Sequence, residues 1–495
     1  MYSPSINRNP PPLPEFHPQT KLRDWGNGYA FRLSDAQTGV CIFGATGGGK
    51  TSGPGKHLGI GYLGADFGGL VLCAKKEERP MWEKWAAETG RSDDLIIIDK
   101  AANWRFNFLE WEASRPEAGG GLTINIVALL DEIAGAVASS QGKHGQGGDK
   151  FWEEALSHMV HNLVELILAT GARLSLSVMR SIVNSAPQNI AQLSDPNWQG
   201  KSECWQALCK AEEVTASKDD EHRADFDQCC KYWSHEFPTL SEKTRSIITL
   251  TFSMLAQPFT NRPLRRIFST DTNIKPEDTF DGRIIIIDLP VQEFRLAGRV
   301  ANLAWKYCFQ IAVLRRMQPA NGFLRPVFLW ADEAQNFISK FDAEYQAVAR
   351  SAGGCSVYLT QNRESFRRVL GNDDAVDSLL GNLQAKFFCQ NSGETNEWAA
   401  RLLGERWLPI NSTNVGQSHQ GQIHALAPNT NHSTGVTRSE QRRYYVEPSR
   451  FTTLKRGGAL NNFQVQAIVY NGGMLFSDGD SNEPLPYKLI TFNQK

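Results

Sequence analysis

The stretch Gly44-Ala-Thr-Gly-Gly-Gly-Lys-Thr51 follows the short apolar run 39–43 and decides the fold of this chain. Its glycines let the backbone turn so that successive N–H groups face one anion. The spacing G-x-x-x-x-G-K-[ST] is that of a phosphate-binding loop, in which the lysine reaches the β- and γ-phosphates and the threonine hydroxyl binds Mg²⁺. The sequence therefore predicts a binding loop for a nucleoside triphosphate, which we expect to be ATP with Mg²⁺, made of Gly44, Ala45, Thr46, Gly47, Gly48, Gly49, Lys50, Thr51 and Ser52.

Short apolar runs recur along the chain between segments that have helical periodicity. Besides the run before the loop, they cover 69–74, 94–99, 283–289, 326–333, 355–360 and 385–390. Continuous runs of this length, each followed by a polar turn and a helix, indicate a parallel sheet that is buried on both faces. The fold class predicted from these runs is α/β.

The residues between the third and fourth of these runs contain helical patterns and no comparable strand. In 151–171, for example, apolar residues recur at helical spacing. We therefore predict an all-α subdomain inserted into the α/β core. The predicted organisation is a proline-rich N-terminal arm at 1–37, a nucleotide-binding domain whose first part is 38–171, an inserted all-α domain at 172–240, and the second part of the nucleotide-binding domain at 241–495. The arm is either a disordered tail or a docking peptide, and the polar stretch 410–441 predicts a long mobile loop.

Net charge, cysteine pattern and the length of the apolar runs limit the partners, the redox state and the location that the chain can have. The formal net charge of −1 provides no general attraction to nucleic acid, so any DNA binding must come from local basic patches. The nine cysteines lie mostly in apolar runs and form no C-x-x-C pair, which favours reduced thiols over a zinc site or disulfides. No run approaches the ~20 apolar residues that cross a bilayer. We therefore expect a cytoplasmic chain without integral membrane insertion.

A second motif, "VFLWADEAQNF" at 327–337, ends an apolar run in two carboxylates. Asp332 at the end of such a strand can hold Mg²⁺ through water, and Glu333 can polarise the water that attacks the γ-phosphate. On its own, this pair is also compatible with an acidic helix start. Together with the phosphate-binding loop, it predicts an ATP hydrolase of the P-loop class that has an intervening strand and a catalytic glutamate.

A third element follows in "ARSAGGCSVYLTQNRES". Gln361 ends the next predicted strand, where an amide beside the acidic strand can sense the γ-phosphate. Arg350 precedes that strand. It either stabilises transferring charge in the site of a neighbouring subunit or pairs with an acidic residue such as Glu344.

In this order, these segments resemble the type IV secretion coupling proteins, the TraD/TraG family of conjugation ATPases related to FtsK and HerA. Further segments extend the resemblance over roughly residues 38–492. In "GGLVLCAKKEE", Ala74 stands where the family has an acidic residue. The others are "RFNFL" (105–109), "FWEEA" (151–155), "GRIIIIDLP" (282–290), "LLGNLQAKFFCQNSGETNEWAARLLGE" (379–405) and "RRYYVEPSRFTTLKRGGAL" (442–460).

The resemblance implies a RecA-like nucleotide-binding domain, an inserted all-α domain that meets DNA or the relaxosome, and a hexameric ring with a central channel. The implied site consists of Lys50, Thr51, Asp332, Glu333, Gln361 and an Arg350 supplied by a neighbouring subunit. The implied function is DNA translocation driven by ATP hydrolysis. The implied partners are DNA, further copies of the chain, a relaxase or relaxosome, and secretion-system ATPases or channel proteins. Family members usually begin with transmembrane helices that are missing here, so the expected location is cytoplasmic or peripheral at the inner membrane.

Two other functions remain open. One is a soluble motor of the HerA or FtsK kind that acts in repair or defence. The other is a nucleotide-dependent adaptor that recruits protein substrates, for which the helical subdomain and the proline-rich arm provide docking surfaces. Arg442 and Arg443, beside Tyr444 and Tyr445, either contact DNA or are structural.

Overall fold

The computed structural model describes residues 14–26, 29–140, 150–419, 430–478 and 481–495. Fifteen strands lie in these ranges. They are β1 (Lys21–Asp24), β2 (Ala30–Arg32), β3 (Val40–Phe43), β4 (Gly68–Leu72), β5 (Leu95–Ile98), β6 (Ile284–Ile287), β7 (Val327–Ala331), β8 (Gly354–Thr360), β9 (Ala385–Phe388), β10 (Glu405–His419), β11 (Thr430–Tyr444), β12 (Gln464–Asn471), β13 (Phe476–Asp478), β14 (Ser481–Leu485) and β15 (Lys488–Asn493).

The same ranges contain nineteen α-helices. They are α1 (Leu33–Gln37), α2 (Lys56–Gly64), α3 (Glu78–Glu88), α4 (Phe108–Ala113), α5 (Thr123–Ser140), α6 (Lys150–Ala169), α7 (Leu176–Asn184), α8 (Pro196–Gln199), α9 (Glu203–Thr215), α10 (Asp220–Lys231), α11 (Phe237–Thr239), α12 (Glu242–Thr260), α13 (Leu264–Phe268), α14 (Val291–Leu314), α15 (Phe341–Ala349), α16 (Arg363–Leu370), α17 (Asp373–Asn382), α18 (Glu394–Leu403) and α19 (Pro448–Thr452).

A nine-stranded sheet forms the centre of the molecule, with the order β15-β12-β9-β3-β8-β7-β4-β6-β5. The seven strands from β9 to β5 are parallel, and they are the seven apolar runs of the sequence. The two remaining strands, β12 and β15, add antiparallel pairs at one side. The predicted α/β fold and the intervening strand are both confirmed, because β8 lies between β3 and β7.

Both faces of the sheet are buried, as the continuous apolar runs predict. In β3, Cys41 and Phe43 belong to a core with helices α5, α6 and α14. Val40 and Ile42 belong to the opposite core, with α2, α3 and the hairpin of β1 and β2. Alternate residues of a strand point to opposite faces, so a strand covered on both sides must be apolar throughout.

The described residues between β5 and β6 form helices α4 to α13 and no strand, as predicted. Part of this segment packs onto the sheet through buried residues of α5, α6 and α12. None of the helices in the described ranges is both long and apolar enough to cross a membrane. Of the predicted N-terminal arm, the described residues end in β1, β2 and α1, where Phe31 is fully buried.

The predicted mobile loop at 410–441 is wrong for the parts that the structure describes. Strands β10 and β11 form a long antiparallel hairpin that is paired from Glu405 and Tyr444 to His419 and Thr430. Residues 420–429 of the predicted loop lie outside the described ranges. The ladder is held by its own backbone hydrogen bonds, and Trp407 at its base is 64% exposed. Its sequence is mostly polar and lacks the apolar alternation that indicates a strand.

Candidate active site

The loop after β3 lies at the carboxyl edge of the sheet and is anchored to the two neighbouring strands. The Ala45 N–H donates to the carbonyl of Gln390, beyond β9, at 2.9 Å, and the Gly44 N–H donates to the carbonyl of Thr360, at the end of β8, at 3.3 Å. These bonds fix the start of the loop between two parallel strands. The loop then continues through Thr51 into the turn that leads to α2.

Two glycines of the loop adopt conformations that favour glycine. Gly47 has φ +70° and Gly49 has φ +86°. A Cβ atom on Gly49 would lie 2.6 Å from a methyl group of Val465, so β12 closes the space behind the loop. Within the described chain, the N–H groups of Gly47 and Gly49 have no backbone acceptor. They remain available to an anion in front of the loop.

Lys50 is buried, with 7% of its surface exposed. Its ammonium donates to the carbonyl of Gly44 at 2.7 Å. Burial lowers the pKa of Lys50, and the carboxylates of Asp332 and Glu333 oppose that shift. The lysine is therefore folded back over its own loop, with its charge directed toward the acidic pair.

Thr51 and Asp332 are in direct contact. The Thr51 hydroxyl donates to Oδ2 of Asp332 at 2.6 Å, and Oδ1 of the same carboxylate accepts from the Glu333 N–H at 2.8 Å. The end of β7 is thus tied to the first helical turn after the loop. A hydroxyl and a carboxylate held side by side are hard oxygen ligands, the kind that Mg²⁺ prefers.

Glu333 occupies a strained position at the end of β7, with φ 50° and ψ 48°. One carboxylate oxygen, Oε1, accepts from Lys75 at 2.6 Å. The other, Oε2, accepts from the amides of Gln335 at 2.8 Å and Gln361 at 3.4 Å. Burial acts to raise the pKa of Glu333, but the hydrogen bonds from Lys75 and Gln335 outweigh it and leave the pKa below its ordinary value. Glu333 is therefore held as a carboxylate.

The sequence analysis assigns no role to two residues of this cluster, Lys75 and Gln335. Lys75 follows β4, the strand next to β7, so its position after the carboxyl end of a predicted strand is the sequence feature that points to the site. Gln335 lies two residues beyond Glu333 and also accepts from the Thr360 hydroxyl at 3.1 Å. Lys75 gives Glu333 a cation, and Gln335 links Glu333 to the end of β8.

The structure brings Lys50, Thr51, Asp332, Glu333 and Gln361 together. Ser52 is exposed, and its hydroxyl accepts from the Gln494 amide at 2.6 Å.

Arg350 lies elsewhere, since it precedes β8 and is exposed at the amino edge of the sheet. In the part of the chain that the structure describes, Arg350 forms no ion pair with Glu344. The phosphate-binding loop and Arg350 of one chain therefore lie at opposite edges of the sheet.

Residues 326–456 match the family model described as the TraM recognition site of TraD and TraG. Over this segment, the chain is similar to TraD and TraG. The matched segment begins just before β7, so it contains Asp332, Glu333 and Gln361, and it ends before β12. None of the curated proteins matches the sequence.

The fold of this chain is similar to that of solved structures of a coupling protein. The unbound monoclinic form of the bacterial conjugative coupling protein TrwBdeltaN70 matches with a TM-score of 0.58 and 14% identity, covering 96% of this chain and 90% of that one. TrwB in complex with the ATP analogue ADPNP matches with a TM-score of 0.58 and 14% identity, over 96% and 89% of the two chains. TrwB with ADP and Mg²⁺ matches with a TM-score of 0.57 and 13% identity, over 96% and 91%. The RecA-like P-loop fold with a helical subdomain is therefore the fold of this chain.

Proposed function

We propose that this protein is a ring-forming ATPase that couples ATP hydrolysis to the movement of DNA or nucleoprotein, in the manner of a conjugative coupling protein. The observation that carries the proposal is the contact between Thr51 and Asp332 at 2.6 Å, with Lys50 and Glu333 beside it. A phosphate-binding loop alone binds nucleotide, whereas a loop joined to an acidic pair can also hydrolyse it.

The residues present suit ATP and Mg²⁺. The triphosphate would lie along the loop, where the free N–H groups of Gly47 and Gly49 and the Lys50 ammonium bind its charge. Thr51 and Asp332 would hold Mg²⁺, which neutralises charge on the phosphates when bound. TrwB, whose fold this chain has, is known in complexes with ADPNP and with ADP and Mg²⁺.

Glu333 and Gln361 have the chemistry that hydrolysis requires. Glu333 is ionised and can accept a proton from, or orient, a water molecule in front of the terminal phosphate. Gln361 lies at the tip of β8, beside Glu333, where its amide can form a hydrogen bond with the terminal phosphate. Arg350 is too far from its own loop to act there, so we propose that it completes the site of a neighbouring subunit.

The DNA and protein partners are proposed from the family match and the fold. The matched family model is described as a TraM recognition site, which favours a relaxosome protein as a partner of residues 326–456. We also propose that 172–240 is an inserted domain that meets DNA or the relaxosome, and that the chain works as a hexamer at the inner face of the membrane. The same recognition match favours, as a second candidate, an adaptor that binds nucleotide in order to assemble with protein partners.

ATP turnover with and without DNA tests the proposal. We expect the wild-type protein to hydrolyse ATP faster in the presence of single- or double-stranded DNA. Glu333→Gln should lower turnover by at least about 10²-fold, because a general base contributes that much, while nucleotide affinity is retained. Glu344→Gln, an exposed acid on α15, is the matched control and should behave as wild type. Turnover that no DNA stimulates would favour the adaptor, and nucleotide binding without turnover would overturn the ATPase itself.

A further inference from the structure

The Lys75 side chain holds one oxygen of the carboxylate on which the proposed hydrolysis depends. Its ammonium donates to Glu333 Oε1 at 2.6 Å, and the two glutamine amides occupy Oε2. Both oxygens of Glu333 are therefore engaged by protein donors. An oxygen held by an ammonium is a weaker proton acceptor than a free one, so the contact between Lys75 and Oε1 restrains Glu333 as a base.

The backbone around Lys75 is held rigidly. The Ala74 and Lys75 N–H groups both donate to the buried carboxyl group of Glu78, at 3.0 and 3.3 Å. The Ala74 carbonyl accepts from the Gln292 N–H at 3.0 Å, and the Cys73 N–H donates to the Asn302 side chain at 3.0 Å. Contacts from α3 and from α14 thus fix the end of β4 on two sides.

The side chain of Lys75 is less restricted than its backbone. It is 34% exposed, whereas the Glu333 side chain is 11% exposed. Among the described residues, the Lys75 ammonium donates only to Glu333, and an ammonium has three donors. Lys75 therefore has the freedom and the donors to change partner while its backbone stays in place.

We propose that Lys75 is a two-position residue, which restrains Glu333 when no triphosphate is bound and binds the terminal phosphate of a bound nucleoside triphosphate. The proposal rests on the ATPase function proposed above. The terminal phosphate must lie one water molecule away from Glu333, and therefore close to the ammonium that touches that carboxylate. Transfer of the ammonium to the phosphate releases Oε1 for the water, so the same movement senses the substrate and activates the base.

The charges around the site support this exchange. Without nucleotide, the cations Lys50 and Lys75 face the anions Asp332 and Glu333, a balanced set. A triphosphate adds negative charge directly beside this set. An ammonium then gains a stronger partner in the phosphate than in a carboxylate that already has two amide donors.

The affinity ratio between a non-hydrolysable ATP analogue and ADP tests the proposal. Removing a charge-assisted hydrogen bond to the terminal phosphate should reduce the preference for the analogue at least about 10-fold in Lys75→Met, and ADP affinity should not change. Lys75→Arg should retain part of the preference. Lys76→Met is the matched control, since Lys76 is the exposed neighbour and should keep the wild-type ratio. Unchanged ADP affinity also shows that each variant is folded.

Turnover provides the second readout. In Lys75→Met, the maximal rate of ATP hydrolysis should fall at least about 10-fold at saturating ATP. An unchanged analogue-to-ADP ratio in Lys75→Met would overturn the proposal and leave Lys75 as a static partner of Glu333. This failure is distinct from failure of the ATPase proposal, which the wild-type protein alone would reveal by not hydrolysing ATP.

Discussion

The hydroxyl of Thr51 donates to the carboxylate of Asp332 at 2.6 Å, although 281 residues separate the two in the sequence. The bond joins the loop after β3 to the end of β7, across the width of β8. It places a threonine oxygen and a carboxylate oxygen at one point, where the proposed Mg²⁺ would bind. The two motifs of the sequence are thus one site in the structure.

Asp332→Asn should uncouple nucleotide binding from magnesium. The amide keeps the shape of the carboxylate but loses its charge, so Mg²⁺ affinity falls. We expect ATP affinity in the wild type to drop when Mg²⁺ is chelated, and the variant to show the same weak affinity with and without chelator. Isothermal titration in both conditions measures this. A variant that still responds to the chelator as wild type does would place the metal on other ligands.

Gly49→Ala should destabilise the loop. An alanine at φ +86° is strained, and its Cβ would overlap Val465. We expect a loss of about 1–3 kcal/mol in the free energy of unfolding, together with weaker nucleotide binding. Urea unfolding and ADP titration measure the two effects. Gly64→Ala is the control, because no atom lies within 4 Å of its added Cβ. The Val465→Ala background should relieve the overlap but not the strain, and full recovery there would contradict the conformational part of this prediction.

Mixed assemblies test the role of Arg350. Lys50→Ala and Arg350→Ala chains should each be inactive alone, since one lacks the loop lysine and the other the proposed arginine. When mixed, some sites combine an intact loop with an intact Arg350 from the neighbour, so ATP turnover should partly return. Lys340→Ala, at the opposite end of α15, should retain activity by itself. If mixing restores nothing while the two chains do co-assemble, Arg350 is not shared between subunits.

Lys386 should make stability depend on pH. This lysine is 3% exposed on β9, and burial lowers its pKa from 10.5 to about 8. Because the folded pKa is below the unfolded one, the unfolded chain binds more protons between pH 8 and 10.5, so the stability contribution rises with pH in that window. Below pH 8 the full cost remains, on the order of 3 kcal/mol.

Lys386→Met removes this cost. At pH 7 we expect the variant to be more stable than wild type by up to that amount, with the difference shrinking toward pH 10. Cysteines and tyrosines of the unfolded chain titrate in the same range, so the difference between the two proteins is the quantity to follow in urea unfolding. Lys84→Met, at an exposed site, should show a pH-independent difference. An equally pH-independent difference for Lys386→Met would contradict the prediction.

The sequence predicts the parallel strands well because burial on both faces leaves an unmistakable apolar run. The elements that the sequence does not predict lack such a local pattern. Strands β10 and β11 pair with each other through a polar sequence, and a polar sequence without apolar alternation predicts a loop. For the site, Lys50, Thr51 and Asp332 belong to motifs with fixed spacing. Lys75 reaches Glu333 only because β4 lies next to β7, and strand order is not contained in any local pattern.

The wall behind the phosphate-binding loop is built from residues that are translated long after the loop itself. Val465 closes the space beside Gly49, and the amide of Gln494 reaches the hydroxyl of Ser52. A ribosome must therefore synthesise more than 400 further residues after Thr51 before the loop acquires its final support. A nascent chain with only its first strands folded lacks that support, so we expect the loop to bind nucleotide only after the sheet is complete.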